Sequence, residues 1–113
     1  DKNLSRLMET CVAIELRRRS AAGRNFNVYY WKDYKQREVD FVIKSGEKVD
    51  QLIQVTNASN RGEIKERETE NIIEAGKELR CSNLLIITLD YEASERINGR
   101  AISFVPLWKW LLQ

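Results

Sequence analysis

Histidine is absent from this chain, and that absence closes off more chemistry than any other single feature. Without imidazole there is no Ser-His or Cys-His couple, no imidazole zinc site and no histidine general base. Any active site must be assembled from carboxylates, amides, hydroxyls, lysine or arginine. Cysteine is scarce too: Cys11 and Cys81 sit inside apolar patterns without metal-ligand spacing. They are expected to be buried, reduced thiols of a cytoplasmic protein. No apolar run approaches a membrane span and the N-terminal residues carry no signal-peptide pattern, so no membrane partner is expected. An excess of one charge is also missing, since 19 Lys+Arg against 17 Asp+Glu leave +2. A nucleic-acid surface would therefore have to be a local patch.

What is present is ordinary globular material. With 113 residues, 42% of them hydrophobic and 32% charged, the chain has enough for one core but not two. It reads as a single domain over residues 1–113, cut from a longer protein. Leu4, Leu7, Met8, Cys11, Val12 and Leu16 recur at helical spacing, predicting an amphipathic helix over 4–21 with Asn3 as N-cap and Gly23 as its stop. Three strands follow, at 27–32, 37–44 and 51–56, joined by links short enough for an antiparallel meander. A second helix is expected over 63–79. A doubly buried strand, Leu84 to Leu89, then runs parallel to a neighbour. After the Asn98-Gly99 turn come a short strand at 102–105 and a final turn opened by Pro106, where Trp108, Trp110, Leu111 and Leu112 are expected to close the core.

Function concentrates on two of these strands. Asp40 is a lone carboxylate in Val39-Asp40-Phe41-Val42-Ile43, and Gln54 and Thr56 are alternate polar residues ending an apolar strand. Residues two apart share a face, so pairing of the strands would bring all three together. A carboxylate there must be paired, solvated or metal-bound, because burying it alone is costly.

The order αβββαβ, with the stretches Leu7-Met8-Glu9, Tyr30-Trp31-Lys32, Glu38-Val39-Asp40, Leu52-Ile53-Gln54-Val55-Thr56 and Pro106-Leu107-Trp108-Lys109-Trp110, resembles the restriction-endonuclease-like PD-(D/E)XK superfamily. More narrowly it is similar to the C-terminal domain of archaeal P-loop ATPases. The resemblance implies an α/β (α+β) fold, a mixed central sheet flanked by helices, with an ATPase domain in the same polypeptide as partner. It implies a nuclease-like function on DNA with Mg²⁺ or Mn²⁺ held by Glu9, Asp40 and Gln54. Gln54 stands where the superfamily has a glutamate and Thr56 where it has the lysine that assists water. Glu68, with Arg67 or Lys65, is the candidate replacement from the second helix. The departures point to a weak nuclease or a DNA-binding module; an inactive protein-interaction or homo-oligomerisation domain is the alternative.

Each candidate also has a structural reading. Asp40 could be the centre of a hydrogen-bond network, Glu9 a solvated helix carboxylate, and Gln54 and Thr56 satisfied polar residues. Glu15, nearer the middle of the apolar face, is expected in a buried ion pair. Candidate DNA contacts fall in three groups: Arg17 and Arg18 with Arg19; Lys32, Lys35 and Arg37; and Arg61, Lys65 and Arg67. All would be directed to phosphates.

Overall fold

In the computed structural model, which describes residues 1–113, the chain folds around one six-stranded mixed sheet of order β1-β2-β3-β4-β6-β5. Helix α1 (Lys2–Arg19) leads into a π turn at Ser20–Arg24 and then into β1 (Asn27–Lys32), β2 (Glu38–Ser45) and β3 (Lys48–Val55). These three strands form the expected antiparallel meander. A 3₁₀ turn at Arg61–Glu63 precedes helix α2 (Glu66–Leu79), and β4 (Leu84–Thr88) then lies parallel to β3. Strands β5 (Ala93–Ile97) and β6 (Arg100–Pro106) form a hairpin that adds β6 parallel to β4, and α3 (Leu107–Leu111) ends the chain.

Side-chain alternation builds a core on each face. Leu52, Val42, Leu84 and Ile86 face α2, where Ile72, Ile73 and Ala75 complete the layer with Phe104 and Trp31. Ile53, Ile43, Leu85 and Ile87 face the other way, against Met8, Val12 and Leu16 of α1 and Trp110 of α3. All five residues of β4 are buried, as a central strand covered on both faces requires. Helix α2 ends in a tight approach: a Cβ on Gly76 would lie 2.8 Å from the Cys81 carbonyl oxygen.

Several sequence expectations need correction. Helix α1 is capped by the Asp1 carboxylate, which accepts from the N–H of Asn3, so Asn3 lies inside the helix. Its stop is as expected, with Gly23 at φ +96°. Strand β5, the sequence Ala-Ser-Glu-Arg-Ile, was not anticipated because it is short and polar at an edge. Trp108 is 57% exposed and Leu111 and Leu112 are exposed, leaving Trp110 alone as the core plug. One turn of helix can bury only one of two tryptophans placed two residues apart. Cys81 is buried but Cys11 only partly so. No helix is long and apolar enough to cross a membrane.

Candidate functional site

Strands β2 and β3 part company at Asp40. Their pairing ends at Phe41 opposite Ile53, after which β2 continues against β1 and β3 against β4. Two side chains bridge the fork. The backbone N–H of Asp40 donates to Gln54 Oε1 at 3.0 Å, and the N–H of Val55 donates to Asp40 Oδ2 at 2.9 Å. The sequence expectation that Asp40 and Gln54 meet is met, but through backbone groups of the opposing strands.

The open side of the fork is a polar groove. One hollow, of about 430 Å³, holds Glu9 from α1, Asp40, Gln54, Thr56 and Glu68. A second, of about 390 Å³, continues from it through the shared Asp40, Gln54, Arg67 and Glu68. All five residues singled out from the sequence as site candidates therefore line one groove. Glu68 reaches it from the first turn of α2, where it also accepts the N–H of Lys65 at 3.3 Å.

Burial and crowding of carboxylates shape the electrostatics. Removal from water pushes the Asp40 carboxyl up to about 7; the Val55 N–H opposes this, and the charge of Glu9, a hydrogen bond with it and the charge of Glu68 add to the rise. Glu68 is also raised by burial, against the pull of the Lys65 N–H, the Thr56 hydroxyl and the nearby cations Lys65 and Arg67. Asp40 thus titrates near neutrality beside two other carboxylates, a point where an added cation would favour the ionised form.

The donors are all oxygens, the set a hard cation takes. No three Asp, Glu, Cys or His side chains are grouped closely enough to hold a metal ion by themselves. Glu9 is the carboxylate that acts most strongly on Asp40, and Gln54 Oε1 is turned onto the Asp40 N–H. Two carboxylates suit Mg²⁺ or Mn²⁺ that keeps water and takes its remaining ligands from a phosphate. The residues fit such an ion in that limited sense.

The structure sorts the expected DNA contacts. Lys35, Lys65 and Arg67 line the groove and form no salt bridge. Arg37 also lines it but is tied to Asp33 at 2.7 Å. The others are committed or elsewhere. Arg18 pairs with Glu15, Lys32 with Glu38 and Arg61 with Glu95. Arg17 lies outside the groove, beside an apolar hollow. Arg19 is buried, donates to Glu15 and to the carbonyls of Trp110 and Gln113, and stacks on the Trp110 ring. Glu15 is thus the ion-pair residue expected, its carboxyl lowered to about 2 by hydrogen bonds from Arg18 and Arg19. Two cations missed in the sequence, Lys2 and Arg6, lie in the groove without an ion pair. Their only signal was helical spacing from Glu9, three residues beyond Arg6.

Comparison with known proteins places the chain without assigning an activity. A family model described as a domain of unknown function (DUF4143) matches residues 4–110. The uncharacterized protein MJ1544 of Methanocaldococcus jannaschii is 41% identical over 117 aligned positions, which cover 98% of this chain and 25% of that protein. The chain therefore spans about a quarter of the length of this curated relative.

Proposed function

The chain belongs to the DUF4143 family, and for this member we propose a restriction-endonuclease-like domain that binds DNA along the forked groove, with weak Mg²⁺- or Mn²⁺-dependent phosphodiester hydrolysis. The observation that supports this reading best is the placement of Glu9, Asp40 and Glu68 in one groove with five cations that have no ion-pair partner: Lys2, Arg6, Lys35, Lys65 and Arg67. A phosphodiester backbone matches that mixture, its phosphates meeting Lys2, Arg6 and Lys65 in one hollow, Lys35 in the other and Arg67 beside the carboxylates that the two hollows share. We place the domain in a longer polypeptide with an ATPase module, in keeping with the resemblance noted above and with the greater length of the relative.

In this reading Glu9 and Asp40 hold the divalent ion, which when bound supplies charge neutralisation and an activated water. Gln54 fixes the backbone of Asp40 rather than adding a negative ligand. Thr56 carries no cation for the developing charge, and Lys65 or Arg67 takes that part from across the groove. Loss of one carboxylate and one lysine is why hydrolysis is slow.

The test is cleavage of supercoiled plasmid and branched DNA with Mn²⁺ or Mg²⁺, wild type beside Asp40→Asn. The expected result is slow cleavage that disappears in the variant, with DNA still bound. Cleavage that survives in the variant refutes the site. No cleavage and no DNA binding at low salt refute the function.

A further inference from the structure

The second notable surface lies away from the groove, at the free edge of β1. The sheet ends at β1 on one side and β5 on the other. Edge strands offer a row of unpaired N–H and C=O groups, and charged side chains ordinarily guard them. Strand β5 has Glu95 and Arg96. Strand β1 has no charged residue from Asn27 to Trp31, and Val28, Tyr29 and Tyr30 are 38%, 52% and 69% exposed.

Next to this edge, between the end of α1 and the outer strands, is a mainly apolar hollow of about 440 Å³. Phe26, Val28 and Phe41 form its floor, Ala13 and Ala21 its wall, and Arg17 its rim. Ile14, 65% exposed, extends the apolar wall along α1. No carboxylate lines it, and neither Arg17 nor Arg24, two residues before Phe26, forms a salt bridge. The nearest acid on that helix, Glu15, is held by Arg18 and Arg19.

We propose that the free edge of β1 and the adjoining hollow form a docking site for an extended protein segment that adds as a seventh strand, placing an apolar side chain in the hollow and a carboxylate on Arg17. Main-chain hydrogen bonds to an edge supply affinity in this mode and a neighbouring pocket supplies selectivity. Charge decides the occupant. A second copy of β1 would bring no carboxylate between Asn27 and Lys32 and would add its own Arg17 to an already cationic rim. An apolar segment with Asp or Glu neutralises that rim. This proposal is independent of the nuclease reading.

The experiment is selection from a random 12-residue peptide library on wild type, Arg17→Glu and Val28→Asp. Both substitutions lie at exposed positions, and circular dichroism verifies the fold. Wild type should enrich sequences alternating apolar residues with Asp or Glu. A chosen peptide should bind at least tenfold more weakly to Val28→Asp, and Arg17→Glu should shift enrichment to Lys or Arg. Absence of enrichment, or peptides indifferent to both variants, overturns the proposal. So does a dimer in sedimentation that Val28→Asp dissociates, since a second copy would then occupy the edge. Binding to anionic lipid vesicles that is lost in the same variants also overturns it, because the surface would then be a membrane contact.

Discussion

Asp40→Asn isolates what the groove does to its central carboxyl. The amide keeps an oxygen to accept the Val55 N–H and removes the ionisation. In the unfolded chain the aspartate ionises near its ordinary value of 3.8, while in the folded protein it holds its proton to about 7. Between those values the unfolded state releases the proton first, so stability falls as pH rises, by about 1.4 kcal/mol per pH unit. Neutral Asp40 thus contributes stability that is fully present below 3.8 and lost as pH rises through about 7. The asparagine variant lacks this slope. Wild type and variant should match near pH 4 and diverge steadily, until above pH 7 the variant is more stable by up to about 4 kcal/mol. Urea denaturation at pH values from 4 to 8.5 measures the difference directly. Parallel curves across that range would refute the claim that burial and neighbouring carboxylates hold Asp40 neutral. Millimolar Mn²⁺ at pH 8 should raise the wild-type midpoint and leave the variant unmoved.

Restoring the missing charges with Gln54→Glu and Thr56→Lys should increase metal-dependent cleavage in a plasmid-nicking assay; no gain in a folded double variant would mean the strand ends never faced a reacting phosphate. DNA affinity should fall steeply with salt, with a log-log slope near −4 to −5 if all five free cations meet duplex phosphates. In the same titration Arg18→Ala and Arg61→Ala should change little, while Lys65→Ala and Arg6→Ala should each flatten the slope by about one. Gly76→Ala should lower stability by about 1–3 kcal/mol in thermal melts, because the added Cβ meets the Cys81 carbonyl. Arg19→Met should cost about 2–3 kcal/mol in the same assay by leaving the carbonyls of Trp110 and Gln113 without their donor, while Arg18 still holds Glu15.

Periodicity made the central elements legible. The apolar spacing of α1 and the unbroken run Leu84-Leu85-Ile86-Ile87 place helix and central strand without tertiary knowledge. Strand alternation singled out Asp40, Gln54 and Thr56, the resemblance added Glu9 with Glu68 as a replacement from the second helix, and one groove holds them all. What the sequence hid was commitment. Arg18, Arg19 and Arg61 look as available as Lys65 in one dimension, and only the fold reveals that Glu15, the C-terminal carbonyls and Glu95 already hold them. Trp108 and Trp110 are equally apolar on paper, yet a single short helix turns one to each side. Edge strand β5 escaped because its polar alternation has no apolar face strong enough to stand out.

The two hydrogen bonds across the fork also bear on how this site would change over time. Asp40 and Gln54 stitch together strands whose own ladder has ended, so both are useful to a protein that never touches a phosphate. A lineage that abandons hydrolysis keeps a reason to retain an oxygen acceptor at both positions, whereas nothing in the sheet needs a lysine in place of Thr56. Across relatives, position 56 should therefore drift first once activity is lost, Asp40 should give way to asparagine, which serves the sheet equally well, and a persistent aspartate there records selection for its charge.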